Sequence, residues 1–235
     1  MTTQNQQEIQ SLFDEAWALI GKMHENRSLL DEANTIYKRI LSMDPNNKDI
    51  HWKIAEVTFK KADLLDDKGQ RTKGYHEAIE WAKKNFKYAP NSPEAHYWLG
   101  CTSARLAEMS GIVSGITLVK EAMKSLEKCI EIDSNNRFAT LSKTILSAIY
   151  IALPWPLKDV KKAEKLAKEA VEKDPNLTMA SEKLASVYIY KKAYQQARQE
   201  LESCLAIKTP TYIWDSVIYD WPTAKRLLKE IEGHK

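Results

Sequence analysis

The chain has 235 residues, 43% of them hydrophobic, with a formal net charge of +3 and only 7 glycines and 8 prolines. That length and apolar content suffice for a sizeable core, the near balance of charge argues against a nucleic-acid binder, and the scarcity of Gly and Pro argues for long helices with few tight turns. The three cysteines, Cys101, Cys129 and Cys204, form neither a disulfide framework nor a CxxC metal pattern and are expected to be small buried hydrophobes. No apolar run reaches the roughly 18 residues needed to span a bilayer. The opening residues Met1 to Glu8 are polar, so no signal peptide is visible. A cytoplasmic protein is expected, with the periplasm as the alternative if an export or lipid-anchor segment has been removed.

The chain repeats itself. The first unit, about 14–47, carries Gly21 and Ala33 and closes on Asp44-Pro45-Asn46. The second, about 48–92, carries Ala55 and Ala78 and closes on Ala89-Pro90-Asn91. The third, about 93–136, has Gly100, Ala122 and Asp133-Ser134-Asn135; the fourth, about 137–177, has Thr144, Ala163 and Asp174-Pro175-Asn176. The fifth, about 178–210, has Ala185 and Ala197, with Thr209-Pro210 in the turn position. Each turn lies 12 residues after one small residue, and the first four lie 10 before the next. Paired small residues let two helices approach closely, proline ends a helix, and Asn and Asp suit turns and caps. The spacing therefore predicts five helical hairpins in series, one domain over 1–235, followed by a tail at 211–235.

This pattern resembles the tetratricopeptide repeat (TPR), a helix–turn–helix unit, with Trp17, Gly21, Ala33, Tyr37 and Pro45 in the first unit and Leu184, Ala185, Tyr188 and Ala197 in the last. The resemblance implies an all-α, right-handed superhelical solenoid with a C-terminal capping helix. The middle units are longer. The two small residues are 12 apart in the first and last units but 23, 22 and 19 apart in the second, third and fourth. The added segments read Asp66 to Gly74, Ser110 to Gly115 and Leu153-Pro-Trp-Pro-Leu157. Together with Glu94-Ala-His-Tyr-Trp-Leu-Gly100 and the run from Leu153 to Asp159 leading into Lys162-Ala163, these insertions are similar to a narrower family. It includes the regulator of microtubule dynamics proteins and the bacterial T components associated with TRAP transporters.

No catalytic, cofactor or metal set is expected. HExxH, P-loop and GxGxxG patterns are absent from the sequence. Gly111-Ile-Val-Ser-Gly115 lacks the Lys-Ser/Thr of a phosphate cradle and reads as a connecting loop. None of the five histidines stands three or four residues from another. Lys158, Lys161, Lys162, Lys165 and Lys168 form either a solvated helix face or a patch for a membrane or acidic partner.

The resemblance also implies that the first helix of each hairpin lines a concave groove for a protein or peptide partner. The residues assigned to that groove are Lys22, Asn26, Trp52, Glu56, Phe59, Tyr97, Cys101, Arg105, Leu141, Ile145, Ile149, Glu182, Ser186 and Tyr190. The expected function is a non-catalytic scaffold. The alternative is a transporter-associated or periplasmic protein holding a small apolar ligand near Leu141 and Ile145. In the tail, Pro222 is placed to start a last helix with Ala224, Leu227, Leu228 and Ile231 as its apolar stripe. Capping of the open end is one reading of Tyr212, Trp214, Tyr219 and Trp221; a homo-oligomer surface is the other.

Overall fold

A computed structural model of the chain describes residues 3–110 and 112–234, with side chains described at 4–110 and 115–234. Ten long helices follow in pairs: α1 (Thr3–Gly21) and α2 (Leu29–Met43), α3 (Ile50–Asp63) and α4 (Lys68–Asn85), α5 (Pro93–Met109) and α6 (Ile112–Ile132), α7 (Arg137–Ala152) and α8 (Val160–Lys173), α9 (Thr178–Tyr190) and α10 (Tyr194–Ala206). A short α11 (Ile213–Asp215), a π-helical turn (Ser216–Asp220) and α12 (Trp221–Glu230) complete the chain. No strand occurs among the described residues.

The caps follow from the sequence. Asp67, Ser92, Asn136 and Asp159 accept hydrogen bonds from the backbone N–H of Gln70, Ala95, Phe138 and Lys162, starting α4, α5, α7 and α8. In the turns, Asp133 Oδ1 accepts from Asn135 N at 3.0 Å and Asp174 Oδ1 from Asn176 N at 3.1 Å. These acidic residues mimic a backbone turn where the helix must stop.

The three insertions differ in kind. Lys68 to Gly74 is helical and forms the first two turns of α4, leaving only 64–67 as loop. Gly74 belongs there because a Cβ would meet Ala62 Cβ at 2.5 Å. The expected loop at 110–115 is corrected in the same way. Ile112 to Gly115 starts α6, and Gly111 lies outside the described residues. A Cβ at Gly115 would sit 3.3 Å from Ala107 O, so the missing side chain lets α6 begin close against α5. Only the third insertion, Leu153 to Leu157, remains a true loop, which runs on to Asp159.

The Cα framework forms two compact units, Met1–Ile132 and Asp133–Lys235, divided at the Asp133-Ser134-Asn135 turn. In the first unit each helix packs on the next and α3 also packs on α5. Its buried residues include Ile20, Met23, Leu30, Tyr37, Ile54, Tyr75 and Leu126. The small residues do the work the spacing implied: a Cβ on Gly100 would lie 2.6 Å from Leu126 Cγ and 3.0 Å from Ala122 O. In the second unit α7 packs on α8 and α9, α9 on α10, and α12 on α10. Ala224, Leu227 and Ile231 of α12 join one buried cluster with Leu184, Ala185, Tyr188, Ala197, Leu201 and Cys204. The final helix is thus a cap over the last hairpin, as the apolar stripe implied.

Candidate functional site

Helices α3 and α5 of the first unit, which pack on each other, carry several aromatic and charged side chains. On α3, Lys53 Nζ lies 4.4 Å from the centroid of the Trp52 ring and 4.7 Å from that of Trp17 on α1. Each such cation–ring contact is worth about 0.5–1 kcal/mol at a partly exposed site. About two turns further along α3, Phe59 meets Trp98 of α5 at 5.4 Å and Tyr75 of α4 at 5.6 Å. Lys60 Nζ stands 5.8 Å from the Trp98 ring.

At the far end of α3, Asp63 is 3% exposed and bound by Arg105 Nη2 of α5 at 3.0 Å. The Tyr75 hydroxyl donates to the same Asp63 oxygen. Arg105 also reaches Glu108 at 2.9 Å. Burial pushes the Tyr75 hydroxyl's pKa up, and the Asp63 carboxylate adds to that rise. Neighbouring Cys101 is pushed up to about 12 by burial, which leaves a thiol rather than a reactive thiolate.

The structure sorts the residues assigned to the groove. Lys22 and Asn26 are exposed; Asn26 Oδ1 also holds the turn into α2 by accepting from Ser28 N at 3.0 Å. Phe59 and Arg105 are half-buried, whereas Trp52, Glu56, Tyr97 and Cys101 are buried. Trp52 is held at both ends, its backbone N–H donating to Asn85 Oδ1 and its indole N–H to Asp49 Oδ1, each at 3.2 Å. In the second unit Leu141, Ile149 and Glu182 are buried, Ile145 and Ser186 half-buried, and Tyr190 is exposed. Glu182 is occupied by Lys183 Nζ at 2.7 Å and Ser186 Oγ at 3.1 Å. Tyr190 carries Lys158 Nζ, 4.5 Å from its ring centroid.

Sequence spacing missed Lys53 and Asp63 as site residues and gave Trp17 only as a repeat position, because their grouping depends on contacts between helices rather than on position within a repeat. The three cysteines are buried. Of the tail aromatics, Trp214 is buried and Trp221 turns inward, its indole donating to Cys204 O at 3.1 Å. Among the described residues, no group of three His, Cys, Asp or Glu side chains converges as a metal site would require. Among them, too, no helix is long and apolar enough to cross a membrane.

The model of the regulator of microtubule dynamics protein 1-3 family matches residues 12–155, more than half of the chain. The chain belongs to that family. The match takes in 94–100 and the insertion at 110–115, two of the segments that carried the resemblance in sequence. No curated protein sequence matches the chain. Among solved structures it is similar to TTC0263, a thermophilic TPR protein of Thermus thermophilus, at 16% identity and a TM-score of 0.68, over 94% of this chain and 99% of that one. It is also similar to a tetratricopeptide repeat protein of Parabacteroides merdae (17% identity, TM-score 0.54, 91% and 75% of the chains). A third is MamA of Desulfovibrio magneticus (16% identity, TM-score 0.52, 83% and 96%). These likenesses establish a TPR-like fold for this member of the family.

Proposed function

We propose that the protein is a non-catalytic scaffold that binds a polypeptide along helices α3 and α5 of its first unit. The observation that carries the reading is the Trp17–Lys53–Trp52 stack, in a unit that also leaves Lys22 and Asn26 exposed. Flat rings and long cationic side chains held in fixed positions are the groups that anchor polypeptide partners. Trp52 and Tyr97 act from below in this reading: buried, they support the surface that Lys53, Phe59 and Arg105 present. The fold family agrees, since TPR hairpins place their first helices together along one face.

The test uses peptides selected from a displayed random library on the purified full chain. Titration of a selected peptide is expected to weaken by about tenfold, on the order of 1.4 kcal/mol, for Lys53→Glu or Lys22→Glu. Both positions tolerate substitution better than buried Trp52. Failure to select any peptide, or peptides indifferent to both changes, would overturn the reading.

A further inference from the structure

The loop between α7 and α8 holds the most exposed of the large apolar side chains described. Trp155 is 87% exposed and Leu157 48%. Pro154 and Pro156, on either side of the indole, are exposed as well. A tryptophan left in water forgoes several kcal/mol of burial, at roughly 25 cal/mol per Å². The loop itself is not loose enough to account for that. Leu153 is buried and its N–H donates to Ile149 O at 3.0 Å. The N–H groups of Leu157 and Lys158 donate to Pro154 O at 3.0 and 3.1 Å, and that of Asp159 to Tyr150 O at 3.2 Å. The loop is closed at its base and across its middle, and it holds the indole outward.

The segment after the loop is basic. Lys158, Lys161, Lys162, Lys165 and Lys168 recur at helical spacing from the loop into α8. The acidic residues among them are engaged. Asp159 caps α8 through Lys162 N at 2.9 Å, and Glu164 is taken by Lys168 at 2.7 Å and Lys191 at 2.6 Å. The bonds to these two lysines hold the Glu164 carboxyl's pKa below its usual value, so it stays ionised and occupied. Lys161 and Lys165 remain well exposed, Lys165 only loosely facing Glu169 at 3.9 Å.

We propose that the 153–159 loop and the lysines at the start of α8 dock this protein peripherally on an anionic lipid bilayer. Trp155 and Leu157 enter the interfacial region, and the lysines meet the headgroups. An indole sits well at the level of the headgroups, and each lysine near an anionic surface contributes about 1 kcal/mol. A protein partner is the poorer fit. An anchoring tryptophan in a protein interface lies within a wider apolar patch, whereas Trp155 and Leu157 stand on one short loop with lysines following it in sequence. A bilayer needs only a protruding anchor with positive charge beside it.

The experiment is co-sedimentation of the full chain with vesicles of phosphatidylcholine alone or mixed with phosphatidylserine. Binding to the anionic vesicles alone, falling as salt rises, is expected. Trp155→Ala and the pair Lys161→Glu with Lys165→Glu are each expected to weaken it by about tenfold or more. These side chains are exposed, so circular dichroism melts should match the wild type. Equal sedimentation with neutral vesicles, no sedimentation with anionic ones, or wild-type binding by Trp155→Ala would overturn the proposal. So would a Trp155→Ala variant that loses a polypeptide partner while vesicle binding stays intact. The polypeptide reading is tested separately, at Lys22 and Lys53 in the first unit.

Discussion

Thr178 Oγ1 at the start of α9 lies 2.6 Å from Asp220 Oδ2 at the end of the π-helical turn, and both side chains are buried. Ser216 Oγ sits 2.7 Å from the same Thr178 oxygen and donates to Tyr212 O at 2.9 Å. Thr178 donates to the Asp220 carboxyl. This clasp ties the cap to the last hairpin.

The clasp gives a pH dependence. Burial pushes the Asp220 carboxyl up to about 7, with the hydrogen bond from Thr178 opposing, Asp215 and Glu182 adding to the rise, and Lys183 reducing it. A raised carboxyl pKa means the folded chain holds the proton more tightly than the unfolded one. The stabilisation is full below the unfolded value near 3.8 and is lost as pH rises through about 7. Asp220→Asn keeps the shape and removes the titration. At about pH 8 it should stabilise the chain, on the order of a few kcal/mol at about 1.4 kcal/mol per pKa unit, and at low pH it should be near neutral. His51 and His96, whose pKa values burial lowers, act in the opposite direction below the usual histidine range. Urea melts of wild type and variant at several pH values isolate Asp220, because the histidines are common to both.

Gly100 fixes the approach of α5 to α6. Placing a Cβ within 2.6 Å of Leu126 Cγ and 3.0 Å of a backbone oxygen overpacks the hairpin. Overpacking costs about 1–3 kcal/mol, against a gain of up to about 1 kcal/mol from alanine's helix preference. Gly100→Ala is therefore expected to lower the melting temperature, although alanine is the better helix former. A calorimetric scan decides, and an unchanged or higher melting temperature would show that α6 gives way.

Arg105→Ala should destabilise the first unit. It leaves the Asp63 carboxylate, 3% exposed, with Tyr75 but without its guanidinium. Breaking a buried pair costs about 3–5 kcal/mol. Because the Arg105 side chain is 40% exposed, solvent screening reduces the expected loss to about 1–2 kcal/mol. A denaturant midpoint unchanged from wild type would show that water replaces the arginine.

The hairpins were readable in the sequence because their determinants are local and repeat: Gly100 ten residues after Pro90, Ala122 twelve before Ser134, Pro222 at the start of the last helix. Some of the inserted length was expected to extend the helices, but that all of Lys68 to Gly74 belongs to α4 was not readable. That Gly- and Asp-flanked, charge-rich run looks like a loop until Gly74 is seen against Ala62. The burial of Trp52 was equally out of reach, since Asn85, which receives its N–H, belongs to the next helix. The Asp220 clasp left no sequence signal, because Thr178 stands 42 residues away and the π-helical turn that delivers Asp220 breaks the ordinary helical period.

The measurement closest to the central claim is photo-crosslinking of a selected peptide from single positions on the first unit. A photoreactive side chain at Lys53, on α3, is compared with one at Glu80, on the exposed side of α4. The scaffold account predicts a crosslinked peptide from position 53 and none from position 80. Crosslinking from 80, or from neither position while the peptide remains bound, would contradict it.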